Sequence, residues 1–399
     1  MKKLLLGVCL LLSATLALAQ MPRETRQAVL HAMQQKNYAQ AVQLLRPWAE
    51  RGDARAQGGL GAMYYDGQGV AQDYAKAREW FEKAAAQGEA GAQYNLGVMY
   101  SNGQSVARDS AKAREWYEKA AAQGYAKAQH NLGVLYAHGR GVAQDYAKAR
   151  QWWEKSAAQG DENAQFSLGL MYGRGQGVAQ NDARAQDWFE KAAVQGHAQA
   201  QFNLGVMYHD GQGIAQNDAK AHEWWEKSAA QGVAEAQYAL GLMYHDGQSV
   251  AQDSAKAREW YEKAAAQGYA QAQYNLGLMY DAGQGVVQDY AKARKWYEQA
   301  AAQGDVKAQY SIGVMYSAGR GIAQDSAKAR EWWEKAAAQG HAGAQYNLGL
   351  MYYSGLGGAQ DSAKAREWLE KAAAQTENAE NTEAVRQARQ ALEKMRQGR

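Results

Sequence analysis

Cysteine and proline are almost absent from this chain. The single cysteine is Cys9, and the two prolines are Pro22 and Pro47. Because no cysteine follows Cys9, the sequence excludes a disulfide framework, and the later residues must be stabilised by packing. Scarce proline beside 42 glycines, in a chain that is 47% hydrophobic, indicates a folded protein with many helix ends rather than a disordered one.

A strong charge of either sign is also missing. The chain has 44 lysines and arginines against 41 aspartates and glutamates, which gives a formal net charge of +3. This balance provides no general attraction to nucleic acid or to anionic lipid. We therefore predict no nucleic-acid partner.

Catalytic motifs are missing as well. The sequence has no S-x-x-K, S-D-N or K-T-G set, no H-E-x-x-H, no G-x-S-x-G and no Walker A loop. The nearest approaches are D-S-A-K, with Ser110 and Lys112, and H-E-W-W-E from His222 to Glu226, which lack the required spacing or the second ligand. We predict that the chain is not an enzyme and has no catalytic residue and no cofactor.

The first 19 residues have the pattern of a secretory signal peptide. Lys2 and Lys3 precede a largely apolar run at 4–18, which ends in the A-L-A sequence that signal peptidase accepts. The apolar run is short for a membrane-spanning helix, and the bulky Val8 before Cys9 does not fit a lipoprotein site. We therefore expect cleavage after residue 19, no membrane span in the mature chain, and a periplasmic or secreted location.

Residues 53–376 divide into nine consecutive 36-residue repeats without insertion or deletion. We number them repeats 1 to 9. Repeat 1 reads DARAQGGLGAMYYDGQGVAQDYAKAREWFEKAAAQG, and repeat 2 reads EAGAQYNLGVMYSNGQSVARDSAKAREWYEKAAAQG. A fixed period of this length is typical of a solenoid, in which no repeat buries its apolar face alone.

Each repeat has the pattern of two helices, which predicts an all-α fold of helix pairs. The apolar stripe of the first helix, helix A, consists in repeat 1 of Ala56, Leu60, Met63 and Tyr64. The stripe of the second, helix B, consists of Ala77, Trp80, Phe81, Ala84 and Ala85. Glycine is expected to end helix A, and Asp or Asn at the twenty-first position to cap helix B. These residues include Gly67, Asp73, Asn181, Asn217 and Asp361.

Two aromatic residues recur in every repeat, a tyrosine on helix A and a tryptophan on helix B. Such rings can stack on sugars, but both lie on the apolar stripe of their helix, which favours a role in the core. Mid-helix glycines such as Gly61 predict a close approach by the neighbouring helix. The tyrosines are Tyr64, Tyr100, Tyr136, Tyr172, Tyr208, Tyr244, Tyr280, Tyr316 and Tyr352, and the tryptophans are Trp80, Trp116, Trp152, Trp188, Trp224, Trp260, Trp296, Trp332 and Trp368.

Degenerate segments flank the nine repeats. Asn37, Ala41 and Leu45 continue the register of helix B, so residues 20–52 are expected to hold a degenerate repeat or N-terminal cap. Residues 377–399 contain a helical pattern with one apolar face, which includes Val385 and Leu392. A helix of this kind is expected to cover the end of the last repeat and meet water on its other side.

The consensus A-x-A-Q-Y-N-L-G-x-M-Y-x-x-G-x-G-V-A-Q-D-x-A-K-A-x-x-W-Y-E-K-A-A-x-Q-G resembles that of the Sel-one-like repeat (SLR) family, a relative of the tetratricopeptide repeats. The resemblance covers all nine repeats and identifies the chain as an exported member, from a Gram-negative bacterium. It implies a right-handed α-solenoid that acts as a scaffold or adaptor. Some exported relatives have a cysteine pair in each repeat and are associated with β-lactam binding or hydrolysis, whereas this chain lacks those cysteines.

The resemblance points to helix A as the candidate binding face, because helix A lines the concave surface of the tetratricopeptide fold. The sixth position is mostly aromatic and the tenth is Val or Leu in eight of nine repeats, which makes a second apolar stripe. Tyrosine is a good binding anchor, but these rings could equally seal one repeat against the next. The sixth-position candidates are Tyr94, Phe166, Phe202, Tyr238, Tyr274, Tyr310 and Tyr346.

Polar residues near the end of helix A vary between repeats, as a recognition surface would, although drift on an unused surface gives the same pattern. The candidates are Arg174, His209 with Asp210, and His245 with Asp246. Zinc needs three or four convergent ligands, and the two histidines stand one repeat apart, so we predict no metal site.

We interpret the chain as a monomeric exported scaffold that binds a protein or peptide along the concave face. Two alternatives stay open. One is binding or hydrolysis of β-lactams or cell-wall glycan, and the other is a secreted factor that contacts a host.

Overall fold

The structure is a computed structural model that describes residues 20–397. The predicted signal peptide, residues 1–19, lies outside the described residues. Between residues 20 and 397 the chain forms 21 α-helices and no strand, so the all-α prediction is confirmed. The helices are α1 (Arg23–Gln34), α2 (Tyr38–Glu50), α3 (Ala54–Asp66), α4 (Tyr74–Ala86), α5 (Ala90–Asn102), α6 (Ser110–Ala122), α7 (Ala126–His138), α8 (Tyr146–Ala157), α9 (Glu162–Arg174), α10 (Asp182–Val194), α11 (Ala198–Asp210), α12 (Asp218–Ala230), α13 (Ala234–Asp246), α14 (Ser254–Ala266), α15 (Ala270–Ala282), α16 (Tyr290–Ala302), α17 (Val306–Ala318), α18 (Ser326–Ala338), α19 (Ala342–Ser354), α20 (Ser362–Ala373) and α21 (Thr382–Arg396).

The helices fall into two compact units, one ending at Ala200 and the other beginning at Gln201. In the first unit α1 to α10 pack in order, each helix on the next. In the second unit α12 to α21 do the same. Each repeat contributes one helix A and one helix B, from α3 and α4 in repeat 1 to α19 and α20 in repeat 9. The packing within each unit is that of a solenoid of helix pairs.

The predicted helix ends are present in the structure. The Asp73 carboxylate accepts a hydrogen bond from the Lys76 amide at 3.0 Å, which caps α4. Gly67 ends α3 with a φ of +69°, in the left-handed region that favours glycine. The other predicted caps, Asn181, Asn217 and Asp361, likewise accept from main-chain amides of their helix B.

The core of each repeat is built around the helix B position one residue after the recurrent tryptophan, which is aromatic in eight repeats and Leu369 in repeat 9. Phe81, in repeat 1, is fully buried, whereas Trp80 is only half-buried. The same difference holds in every repeat, so the prediction that the tryptophans form the core is only partly right. Helix A contributes its Leu and Met residues, and Tyr64 is 8% exposed.

Mid-helix glycines let this buried ring lie directly on helix A. A Cβ atom on Gly61 would stand 2.7 Å from the Phe81 ring, and one on Gly241 would stand 2.5 Å from the Tyr261 ring. The predicted close approach is therefore present, and the group that approaches is an aromatic side chain.

Helices outside the nine repeats cover the two ends of the array. At the N-terminal end, α1 packs on α2, which packs on α3. At the other end, α21 packs on α19 and α20 and buries Val385, Ala388 and Leu392. Among residues 20–397, no helix combines the length and the apolar character that crossing a bilayer requires.

Candidate binding face on helix A

Aliphatic residues at the tenth position of the repeat form a stripe that is open to solvent. We call the side of helix A that carries the sixth, tenth, thirteenth and fourteenth positions the A face. None of the nine tenth-position residues is buried, and Leu278 and Leu350 are 39% and 38% exposed. The stripe consists of Ala62, Val98, Val134, Leu170, Val206, Leu242, Leu278, Val314 and Leu350.

The sixth-position rings of the first unit pack between consecutive repeats. The Tyr94 ring lies 5.2 Å, between ring centroids, from Tyr125, the first residue of the next repeat. The Phe166 ring stacks on His197 in the same way, at 4.4 Å. Each ring also contacts the buried helix B aromatic of its own repeat, as Tyr94 does with Tyr117 at 5.8 Å.

The second unit repeats this arrangement. Tyr238 lies 5.1 Å from Tyr269, and Tyr310 stacks on His341 at 4.4 Å. The predicted rings of both units are partly exposed: Tyr94, Phe166, Phe202, Tyr238, Tyr274, Tyr310 and Tyr346. Four of these rings therefore help to seal one repeat against the next while part of each stays in solvent: Tyr94, Phe166, Tyr238 and Tyr310. Partner binding by the sixth-position residues stays a prediction.

Burial further favours the neutral form of three tyrosines of this face. It raises the pKa of Tyr94, Tyr238 and Tyr274 above the usual tyrosine value. These hydroxyls therefore stay protonated at neutral pH and offer a hydrogen-bond donor and an acceptor without charge.

The polar candidates occupy the last turn of helix A. In the first unit, Arg174 is exposed at the end of α9. In the second unit, His209 Nδ1 lies 2.8 Å from the Asp218 carboxylate, and His245 Nδ1 lies 2.8 Å from that of Asp246. Within residues 20–397, no three His, Cys, Asp or Glu side chains are grouped to hold a metal ion.

Two cavities open on the A face of the second unit. The first has a volume of about 440 Å³ and brings together Tyr238, His245 and Asp246 of the predicted residues. The second has a volume of about 450 Å³ and brings together Tyr274, Tyr310 and Tyr346. In the second cavity, Lys307 Nζ forms an ion pair with Glu380 Oε1 at 2.8 Å, so the segment before α21 covers part of it.

A network of buried glutamines joins consecutive repeats, and the sequence reasoning missed it. Gln273 Nε2 donates to the Ala265 carbonyl of the preceding repeat at 3.2 Å. Its Oε1 accepts from Gln303 Nε2 at 2.8 Å. The pairing within a repeat recurs throughout: Gln57 with Gln87, Gln93 with Gln123, Gln129 with Gln159, Gln165 with Gln195, Gln201 with Gln231, Gln237 with Gln267, Gln309 with Gln339, and Gln345 with Gln375. The signal for it was the presence of glutamine at the fifth and thirty-fifth positions of all nine repeats.

Lysine side chains cover the half-buried tryptophans of helix B. Lys83 Nζ lies 4.3 Å from the centroid of the Trp80 ring, and Lys263 Nζ lies 3.8 Å from that of Trp260. In these repeats the lysine lies over one face of the tryptophan ring, where a sugar would otherwise stack. Repeat 7 differs in sequence, since Gln299 stands where the other repeats have this lysine.

Comparison with known proteins identifies the repeat. The protein-family model described as "Sel1 repeat" matches residues 32–53, 54–89, 90–125, 126–161, 163–197, 198–233, 234–269, 270–305, 306–341 and 342–376. The chain is similar to the structure of c5321, described as a protective antigen present in uropathogenic Escherichia coli strains displaying an SLR fold. The two are 36% identical over 90% of this chain and 85% of that chain, with a TM-score of 0.57.

A second solved structure is similar to the same degree. It is a Sel1 repeat protein from Oxalobacter formigenes, 36% identical over 77% of this chain and 90% of that chain, with a TM-score of 0.60. No curated protein matches the chain.

Proposed function

Because the chain belongs to the Sel1 repeat family, whose solenoid is a protein-interaction scaffold type, we propose that it binds a protein or peptide partner along the A face of its second unit. We further propose that it is an exported monomer of the periplasm or the extracellular space. The pattern of a signal peptide in residues 1–19 supports export.

The open tenth-position stripe carries this proposal. Leu242 and Leu278 stand on the A face beside the half-buried Tyr238 and Tyr274, one repeat apart. A regular row of aliphatic and aromatic side chains that stays open to solvent is typical of a surface that a partner covers. Two cavities open on this face. The polar groups of His245 and Asp246 in one of them supply hydrogen bonds of the kind that an interface needs.

The test targets exposed residues, because alanine at Tyr238, Tyr274 or Tyr310 would also loosen the packing between repeats. A photo-crosslinking amino acid at Leu278 identifies the partner in the native cell, and the purified partner is then titrated against Leu278→Asp. We expect affinity to fall at least about tenfold, since a charge would be buried in an apolar contact. The matched control is Val287→Asp, because Val287 is 88% exposed in a loop.

Equal affinity of the Leu278→Asp and Val287→Asp proteins for that partner would contradict a binding site on the A face. Circular dichroism of both variants checks that they retain the helical content of the natural chain.

The secreted host-interaction factor is the second candidate, favoured by the likeness to c5321, which is described as a protective antigen. Protease treatment of intact cells distinguishes a location outside the cell from one in the periplasm. Cleavage of the chain on intact cells, or its recovery from the culture medium, supports host contact, whereas protection until the outer membrane is opened supports a periplasmic scaffold.

A further inference from the structure

The cavity of about 440 Å³ in the second unit lies between helix A of repeat 6, α13, and helix A of repeat 7, α15. Its walls are apolar and aromatic, from Tyr238, Leu242 and Leu278. Its end is acidic, with Asp246 and Asp281. A volume in this range is that of a site for one small ligand or one side chain, about 300–1,000 Å³.

Asp281 is unfavourably placed for the stability of the free chain. Its Oδ1 atom is buried and has no hydrogen-bond partner among the described residues. It also lies in the last turn of α15, where the helix dipole disfavours a negative charge. Burial raises the pKa of this carboxyl, and the charge of Arg320 opposes the shift. Asp281 is the only acidic residue at the thirteenth position of the nine repeats.

A second polar atom of the cavity has no partner either. The hydroxyl oxygen of Tyr261 is buried and has no hydrogen bond of normal length to a described residue, although the Asn275 side chain lies near enough to lower the pKa of this hydroxyl against the larger effect of burial. It belongs to the helix B aromatic that packs on Gly241, so its ring cannot turn away from the cavity. Buried polar groups without a partner cost free energy, and a ligand that supplies hydrogen-bond donors removes that cost.

We propose that this cavity holds a lysine or arginine side chain of the bound partner, with the cation between Asp281 and Asp246 and the aliphatic stem along Leu242 and Leu278. The inference rests on the proposed binding of a protein or peptide on the A face. It adds the chemistry of the partner, which is basic at this point.

The residues of the cavity match both the charged end and the apolar stem of a lysine or arginine side chain. Lysine and arginine only donate hydrogen bonds, and Asp281 Oδ1 and the Tyr261 oxygen can accept them. Asp246 Oδ1 already lies 2.8 Å from His245 Nδ1, which leaves the other carboxylate oxygen of Asp246 for the cation. The long apolar stem of either side chain packs well on leucine while its charged end reaches the polar floor.

Small amides test the cavity without a known partner. The full chain is labelled with ¹³C at the methionine methyl groups, and the signal of Met279, which lines the cavity, is followed by NMR. The probes are the Nα-acetyl amides of lysine and arginine, compared with those of norleucine and citrulline, which have similar length and no charge. We expect a saturable shift of the Met279 signal with the two basic probes only.

Two variants assign the effect to the carboxylates. Asp281→Asn should weaken binding of the basic probes at least about tenfold, since it removes a charged acceptor. Asp187→Asn, an exposed aspartate on helix B of the first unit, should leave it unchanged. Undisturbed signals of the other methionines show that each variant is folded. If the Asp281→Asn protein does not fold, Asp246→Asn provides the second measurement.

Equal binding of citrulline and arginine amides, no shift with either basic probe, or unchanged affinity in both aspartate variants would overturn the inference. Failure of this inference can be distinguished from failure of the proposed function. A partner that depends on Leu278 but lacks a basic residue at its contact would keep the A face as a binding site and reject the basic side chain.

Discussion

Histidine caps helix A in two repeats at a position where four other repeats have an acidic residue. The main-chain amide of Ala200 donates to His197 Nδ1 at 3.1 Å, and that of Ala344 donates to His341 Nδ1 at 3.1 Å. In repeat 8 the same position is Asp305, whose carboxylate accepts from Ala308. Only a neutral imidazole nitrogen can accept this hydrogen bond. The cap therefore depends on the histidine being uncharged.

We predict that acid weakens these two caps. Burial lowers the pKa of His197 and of His341, and the charge of Lys307 lowers that of His341 further, while Glu162 and Glu380 oppose the shifts. The pKa is therefore lower in the folded chain than the ordinary histidine value of about 6.5. At a pH between the folded and the unfolded pKa of these histidines, the unfolded chain binds more protons than the folded chain. The stability that the caps contribute is therefore fully present above about pH 6.5 and is lost as the pH falls towards the pKa of the folded chain.

The measurement compares thermal midpoints between pH 7.5 and pH 5.5. The double variant His197→Asp with His341→Asp should lose less stability over this interval than the natural chain, because aspartate caps without a proton change near these pH values. His31→Asn, at an exposed position of α1, is the control and should follow the natural chain. A double variant with the same pH dependence as the natural chain would show that the caps do not cause it.

Between elements, glutamine joins helix B of one repeat to helix A of the next. Gln273 is 5% exposed and bridges Ala265 in α14 to Gln303, just after α16. Hydrophobic packing alone permits small shifts of one helix along another, whereas a buried hydrogen-bond pair has one register. The repetition of the pair in every repeat explains how similar surfaces stack in one register within each unit.

We predict that Gln273→Leu lowers the free energy of unfolding by about 1–3 kcal/mol, because it removes the two hydrogen bonds that the buried Gln273 amide makes to the Ala265 carbonyl and to Gln303. Gln271→Leu changes the same residue type two positions away, on an exposed part of α15, and should have almost no effect. Urea unfolding of both variants, with Gln303→Leu and the double variant, gives the coupling between the two glutamines. Strictly additive effects would mean that the hydrogen bond between them contributes nothing.

For the whole molecule, the local patterns of the sequence predicted the helices and their ends. Nine repeats carry the same apolar spacing, the same glycine after helix A and the same cap before helix B, so every local signal agrees. The arrangement of side chains around the core was harder to predict. Trp80 and Phe81 are neighbours on one helix, about 100° apart, and the apolar stripe includes both. The close fit of Phe81 on Gly61 decides which ring is buried.

The candidate site was predicted in its components but not in its chemistry. In the second unit Tyr238, His245 and Asp246 line one cavity, and partner binding by them stays a prediction. The burial of the Asp281 carboxylate oxygen was not predicted, since no pattern within α15 reveals it. The polar network of Gln57 and its equivalents was missed because glutamine alone indicates neither burial nor exposure.

An array in which each repeat contacts only its neighbours should respond to damage locally. The last repeat relies on α21, which covers Leu369 with Ala388 and Leu392 and buries Val385 completely. We predict that Val385→Asp releases α21, since a carboxylate there would be buried without a partner, at a cost of more than about 2 kcal/mol. Hydrogen exchange should then become faster in α19, α20 and α21.

The same measurement shows how far the effect travels. Repeat stabilities add through contacts between neighbours, so protection of α3 and α4 should stay as in the natural chain. Gln390→Asp, on the exposed side of α21, introduces the same charge without burial and should change neither end. If Val385→Asp speeds exchange in α3 as much as in α20, the described chain unfolds as one cooperative body and the nearest-neighbour account fails. Fast exchange confined to the last helices would show that α21 is the cap on which the final repeat, with its A face, depends.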